Sequence, residues 1–231
     1  MKQGSTIKDM VATERPYERC QTQGAGSLTD IELLAVLLRT GTRGVNSLEM
    51  ASEILSSKSQ KNSILQIHQY TLEQLLQIKG IGKVKALQIL CLSELSRRLA
   101  KATASMGLSF TNPSSIANYY MEDMRHQTQE HMKLLMLNTN ARLIGETNVS
   151  KGTVNASVIS PRELFIEALQ KNAVSIIILH NHPSGDVTPS REDRLITIRI
   201  KEAGALIGIA LLDHIIIGNN CYMSFNEQGL L

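Results

Sequence analysis

The stretch that most constrains this 231-residue chain is 175–194, SIIILHNHPSGDVTPSREDR. Its apolar run, Ile176 to Leu179, is short, mostly β-branched and closed by His-Asn-His-Pro, so it reads as a buried strand rather than a helix. Side chains alternate faces along a strand, so His180 and His182 point one way and Asn181 the other. Pro183 cannot donate to a sheet ladder and ends the strand, and Ser184-Gly185-Asp186 supplies a turn. A helix is expected to start near Ser190, to continue through Leu195, Ile196, Ile198, Ile200 and Ala203, and to stop around Gly204. Asp193 then lies in its first turn, where its carboxylate can reach back to the strand end. Two imidazoles and one carboxylate, with no fourth protein ligand nearby in sequence, form the ligand set of a catalytic zinc site, which keeps one position open for water.

Other readings of the same residues stay open at this point. His180 and His182 could be hydrogen-bonded core histidines. Ser190-x-x-Asp193 is also a capping-box-like helix start, worth about 1 kcal/mol without any metal. Two histidines and a carboxylate serve non-haem iron oxygenases as well. The usual order of that set puts the carboxylate in the first dipeptide pair, which this chain does not.

The length suits one large or two small domains, and with only 3% aromatic residues the cores must be aliphatic. Cys20, Cys91 and Cys221 are far apart and odd in number, which argues against a disulfide framework and for a reducing compartment. The first sixteen residues carry no continuous apolar run, and no stretch elsewhere approaches the roughly 20 apolar residues of a membrane span. A cytoplasmic protein with no membrane attachment is the expectation.

Net charge is +3 but unevenly spread: residues 1–105 hold 14 Lys and Arg against 9 Asp and Glu, the remainder 10 against 12. The first part is the better partner for a polyanion, though a solvated surface accounts for the same excess. Ser27-Leu28-Thr29-Asp30 caps an apolar helix, Ile31 to Leu38, with a stop at Arg39-Thr40-Gly41. An amphipathic helix from Ser47 to Leu55 and a polar loop from Ser56 to Ser63 follow. Two helical patterns between Leu72 and Leu90 then flank Gly80-Ile81-Gly82, with the hairpin near 78–84. That pattern resembles the helix-hairpin-helix motif, in which the Gly-hydrophobic-Gly turn lets backbone N–H groups approach a phosphate. Gly80, Gly82, Lys83 and Lys85 are the candidate nucleic-acid contacts, with Lys79 beside them, and such contact would be independent of base sequence. A plain helix-helix turn with a solvated lysine face is the alternative.

From Ala100 to Ser109 the composition turns to Ala, Thr, Ser and Gly, which marks a boundary between domains 1–105 and 109–231. Beyond it the pattern gives a helix over 114–124, a strand over 132–137, a turn at Asn138-Thr139-Asn140 and a returning strand over 141–150. A helix over 161–170 leads to the histidine strand, and two strands, 209–217 and 221–225, close the chain about a Gly-Asn-Asn turn. The second half is thus an α/β domain with one sheet and at least two helices.

The spacing His180-x-His182, seven residues, Ser190-x-x-Asp193 resembles the metal motif of the JAB1/MPN (JAMM) metallopeptidases. With the hairpin pattern and the text His-Asn-His-Pro-Ser-Gly-Asp, nearly the whole chain looks like the bacterial RadC-like proteins of that superfamily. The resemblance implies a small all-α helix-hairpin-helix domain followed by a cytidine-deaminase-like α/β domain, one zinc per chain, and hydrolysis of a peptide or isopeptide substrate. It makes His180, His182 and Asp193 the metal ligands and Ser190 the holder of the transition-state oxygen. It also requires a glutamate general base on an earlier strand, for which Glu146 is the candidate, because Glu163 and Glu167 fall on a helical pattern. The name carries a DNA-repair label, so the competing expectation is a DNA-associated protein whose JAMM domain serves as a structural or partner-binding platform. His214 reads as a buried histidine behind the site, and His68, His126 and His131 belong to no constellation.

Overall fold

The computed structural model describes residues 10–56, 63–152 and 160–231. The expected loop over 56–63 therefore falls mostly outside the described residues, as does the start of the chain. Two compact units divide between Ser96 and Arg97.

The first unit is helical. It comprises α1 (Pro16–Gln23), α2 (Asp30–Leu38), α3 (Ser47–Leu55), α4 (Leu72–Gln77) and the start of α5 (Lys83–Ser105). α2, α3 and α4 each open on a complete capping box, Thr29 with Glu32, Asn46 with Glu49, and Thr71 with Gln74, so each places its first N–H groups on side-chain oxygens. Their apolar faces meet in one aliphatic cluster that includes Leu34, Leu38, Met50, Ile54, Leu75, Ile81 and Ile89. The chain turns out of α2 at Arg39, with φ 63°, rather than at Gly41. Gly41 is fixed by crowding instead: a Cβ there would stand 2.4 Å from the Val45 carbonyl oxygen. α5 continues to Ser105 through the Ala, Thr and Ser of the expected boundary stretch, because alanine is a strong helix former and nothing there breaks the ladder.

The second unit is an α/β sandwich around a mixed five-stranded sheet. After α6 (Pro113–Met124) come β1 (Glu130–Leu137), β2 (Leu143–Gly152), α7 (Pro161–Gln170), β3 (Ser175–Asn181), α8 (Arg191–Ile207), β4 (Ala210–Ile217) and β5 (Tyr222–Ser224). Strand order is β2-β1-β3-β4-β5, with β3 and β4 parallel and the other pairs antiparallel. Alternation sorts the strand residues onto two faces. Met132, Leu134, Met136, Ile176 and Ile178 pack with Leu164 and Phe165 of α7 and Ile196 and Ile200 of α8. Leu135, Leu137, Ile177, Leu179, Ile215 and Ile217 pack with Ile116, Ala117, Tyr120 and Met124 of α6. β3 is buried along its full length, as its continuous apolar run requires.

Two boundaries differ from the sequence expectation for physical reasons. α8 passes through Gly204 and ends at Gly208, which adopts φ 77°. Gly204 is a packing glycine: a Cβ would lie 2.3 Å from the Ile209 carbonyl oxygen and 3.0 Å from Phe165. The β1–β2 turn extends to Arg142, because Asn138 Oδ1 accepts from the backbone N–H groups of Asn140 and Arg142, so β2 starts at Leu143. No helix among the described residues is long and apolar enough to cross a membrane.

Candidate metal centre

His180 is the penultimate residue of β3 and His182 follows its end, held there by a 3.0 Å bond from its backbone N–H to the Ile217 carbonyl of β4. Their Nε2 atoms lie 3.0 Å apart. Asp193, in the first turn of α8, brings Oδ1 to 3.2 Å from His180 Nε2 and Oδ2 to 3.4 Å from His182 Nε2. One ligand atom from each of the three lies within 4.8 Å of the others, so the expected triad is assembled.

The other ring nitrogens decide what these atoms can do. His182 Nδ1 is 2.6 Å from the Asp186 carbonyl, which only accepts, so Nδ1 carries the proton. His180 Nδ1 faces His214 Nε2 at 2.8 Å, and His214 Nδ1 faces Thr197 Oγ1 at 2.6 Å. Thr197 donates its one proton to the Asp193 carbonyl at 2.5 Å, a separation at which two oxygens without a hydrogen between them would repel. Thr197 must then accept from His214 Nδ1–H, and His214 Nε2 must accept from His180 Nδ1–H. This buried relay leaves a lone pair on His180 Nε2. Burial pushes the His214 pKa well down, so its ring is the neutral link the relay needs.

Two Nε2 lone pairs and a carboxylate therefore face one another, and three acceptors at such distances need a cation among them. A proton can serve: the hydrogen bond to Asp193 raises the His182 pKa even though burial opposes it. A metal ion fits the same donors, and each imidazole already gives its outer N–H to an acceptor, as ligating histidines do. Burial pushes the Asp193 carboxyl up, but the interactions with His180 and His182 outweigh it and keep it ionised, well below the usual carboxylate range.

Ser190 adopts the capping role expected from the sequence. It is the N-cap of α8: Asp193 Oδ2 accepts from Ser190 N at 2.8 Å and Oγ at 2.6 Å, while Ser190 Oγ accepts from Asp193 N at 3.1 Å. The capping box thus aims the carboxylate at the histidines. Ser190 also lines a cavity of about 330 Å³ over the cluster, together with Glu130, His182, Glu192 and Asp193.

Glu146 is not in that cavity, and its assignment as general base is corrected by the register of the sheet. It pairs directly with Leu135, whose side chain packs on the α6 face, opposite the face that carries His180. There it accepts from Tyr120 Oη at 2.5 Å and from Lys133 Nζ at 3.2 Å. Burial raises its pKa, and the bonds from Tyr120 and Lys133 bring it below the ordinary value. Glu163 and Glu167 border a separate cavity of about 280 Å³ beside β2.

The strand carboxylate that does reach the cavity is Glu130. Met132 pairs with His180 across antiparallel strands, so Glu130, two residues earlier, falls beside His182 on the same face. Asn181, on the opposite face, fixes that end of β1. Its Oδ1 accepts from His131 N at 2.8 Å and its Nδ2 donates to Gln129 O at 3.1 Å, which brackets Glu130. Extending the expected strand upstream from Met132 would have found Glu130 by parity.

In the helical unit, Gly80 adopts φ 90° between α4 and α5, and a Cβ there would meet Met50 Sδ and Thr42 Cγ2 at 2.7 Å. Gly82 has open space around it. Lys83 is exposed, whereas Lys85 donates to the Thr40 carbonyl at 2.5 Å and is lowered in pKa by burial. Of the histidines set aside earlier, His68 Nδ1 meets Ser93 Oγ at 2.9 Å, His126 meets Glu122 at 3.1 Å, and His131 Nδ1 meets Gln129 O at 3.0 Å.

Residues 110–230 match the RadC-like JAB domain family and residues 7–87 match the UPF0758 N-terminal family. The chain is 48% identical over 225 residues to a UPF0758 protein of Clostridium botulinum strain Hall, covering 97% of each. It is 47% identical over 232 residues to a UPF0758 protein of Clostridium beijerinckii, covering both in full. A mixed five-stranded sheet flanked by helices accords with a JAB domain. The chain belongs to the UPF0758 family, with a helical N-terminal region and a RadC-like JAB domain.

Proposed function

We propose that this protein is a zinc-dependent hydrolase of the JAMM class that cleaves a peptide or isopeptide bond. The observation that carries this reading is the convergence of two Nε2 lone pairs and the Asp193 carboxylate, each pre-set by a hydrogen bond, on one point beside an open cavity. His180, His182 and Asp193 would hold the ion. When bound there, zinc supplies Lewis acidity, lowering the pKa of water from 15.7 toward about 7 and polarising a carbonyl.

The remaining chemistry belongs to the chain. Glu130 accepts the proton of the attacking water and returns it to the leaving nitrogen, a transfer typically worth roughly 10² to 10⁴ in rate. Ser190 donates to the oxygen that gains charge. Its proton rests on Asp193 Oδ2, so that role needs a rotation of the hydroxyl. His214 and Thr197 keep the His180 tautomer, and Asn181 keeps Glu130 at the rim.

Elemental analysis of the protein purified without chelator tests this. About one zinc per chain, lost in His182→Ala and retained in Glu130→Gln with hydrolysis abolished in both, is the expected result. A metal-free wild-type protein would overturn it.

A second reading, association with DNA through a helix-hairpin-helix, is supported by the α4–α5 turn, where Gly80 takes a backbone conformation that side chains rarely adopt and Lys83 is exposed. In its strong form the JAB domain is a platform for a DNA-bound complex and performs no catalysis. That form predicts salt-sensitive DNA binding by the full chain, indifferent to His182→Ala, with no hydrolysis to lose.

A further inference from the structure

In the helical unit two backbone segments lie together, backed by Met50, Ile78 and Ile81 of the aliphatic core. They are 39–45, between α2 and α3, and 78–85, which covers the α4–α5 turn and the first residues of α5. Thr42 packs so closely on Gly80 that only a missing side chain leaves room. Lys85 Nζ reaches across to the Thr40 carbonyl, and Lys79 Nζ stands 4.0 Å from where a Gly44 Cβ would be.

This junction gathers charge. Arg39, Arg43, Lys79 and Lys83 are all exposed, and among the described residues none has an ion pair or a side-chain hydrogen bond. The acidic residue beside the first segment, Glu49, turns its carboxylate to the Asn46 N–H of its own helix cap at 2.8 Å. Arg39 also sits at φ 63°, ψ −55°, where glycine would be unstrained. The turn therefore gains nothing from an arginine, which directs attention to its side chain. Between Arg39 and Arg43 stand only Thr40, Gly41 and Thr42, so the loop offers guanidinium groups without an apolar anchor for a bilayer.

We propose that Arg39 and Arg43 complete, with Lys79 and Lys83, a single phosphate-backbone site for duplex DNA, in which Lys85 is an internal tie rather than a contact. The proposal rests on the DNA-association reading and extends it from the hairpin to the neighbouring loop. Guanidinium groups bind phosphate oxygens in bidentate fashion, and the two lysines add point charge. Such a site neutralises phosphates without reading bases.

The test is fluorescence anisotropy of the full-length protein with a labelled duplex of about 20 base pairs, across 50 to 200 mM KCl. Four phosphate contacts give a slope of about −3.6 in log K against log salt, which is roughly a 150-fold loss of affinity over that range. Arg39→Gln and Arg43→Gln should each make the slope shallower by about 0.9, as should Lys79→Gln and Lys83→Gln. Lys201→Gln, on the exposed face of α8, should leave it unchanged. Arg39→Gly should weaken binding while raising Tm, which separates lost contact from lost fold. Slopes that respond to Lys79 and Lys83 but ignore both arginines would overturn the proposal and leave the hairpin alone as the site. Absence of salt-dependent binding at 50 mM KCl would overturn both.

Discussion

Thr197→Val is the sharpest probe of the metal centre, because it deletes one oxygen and keeps the shape. Thr197 Oγ1 accepts from His214 Nδ1 at 2.6 Å and donates to the Asp193 carbonyl at 2.5 Å. Valine is equally β-branched, so helix propensity and packing barely change. The His214 Nδ1–H then loses its acceptor in a site with no solvent exposure. An unsatisfied buried donor costs about 1 to 3 kcal/mol. The ring can relieve this by moving its proton to Nε2, but it then donates to His180 Nδ1 and forces the His180 proton onto Nε2, the atom needed for the metal. Either response weakens binding. Loss of such an outer partner typically costs 10- to 100-fold in affinity, or about 1.4 to 2.7 kcal/mol. Competition against a chromophoric chelator measures the zinc affinity, and a urea melt of chelator-treated protein measures the stability term. Thr197→Ser, which restores the hydroxyl, should recover most of the affinity. A Thr197→Val protein that binds zinc within about twofold of wild type would refute the relay, since a tenfold loss is the least it allows.

Zinc affinity should fall as pH drops through the His182 pKa of the metal-free chain, which the bond to Asp193 holds above the ordinary histidine value, because proton and metal compete for Nε2. For the same reason, the stability that His182 gives the metal-free protein is present at low pH and lost as pH rises through that raised pKa; chelator-treated melts across pH would show the opposite trend if the site were empty of its proton. Glu146→Gln should retain full zinc content and cost about 1 kcal/mol in a urea melt through its weakened bonds to Tyr120 and Lys133, so loss of metal or of hydrolysis in that variant would restore it to the site. Gly80→Ala should destabilise the helical unit by about 1 to 3 kcal/mol, since φ 90° and two 2.7 Å contacts oppose a Cβ, while Gly82→Ala, with open space, should be near neutral; equal effects would contradict the packing of the turn.

The sequence determined by itself whatever depends on local geometry. Strand alternation put His180 and His182 on one side, and Pro183 ended their strand. The Ser190-x-x-Asp193 pattern announced a capped helix whose first turn would carry the carboxylate. The capping boxes of the helical unit and the long apolar run of β3 were legible for the same reason, since each needs only neighbours along the chain. What depends on register was decided by the tertiary structure. The irregularity in the β1–β2 pairing between Met136 and Leu137 puts Glu146 opposite Leu135 rather than Leu134, and hence on the face away from His180. The antiparallel pairing of β1 with β3 brings Glu130 to His182, and the parallel pairing of β3 with β4 brings His214 to His180 across 34 positions. A period of two says which residues share a face of one strand, but only the pairing of strands says which face of the sheet that is.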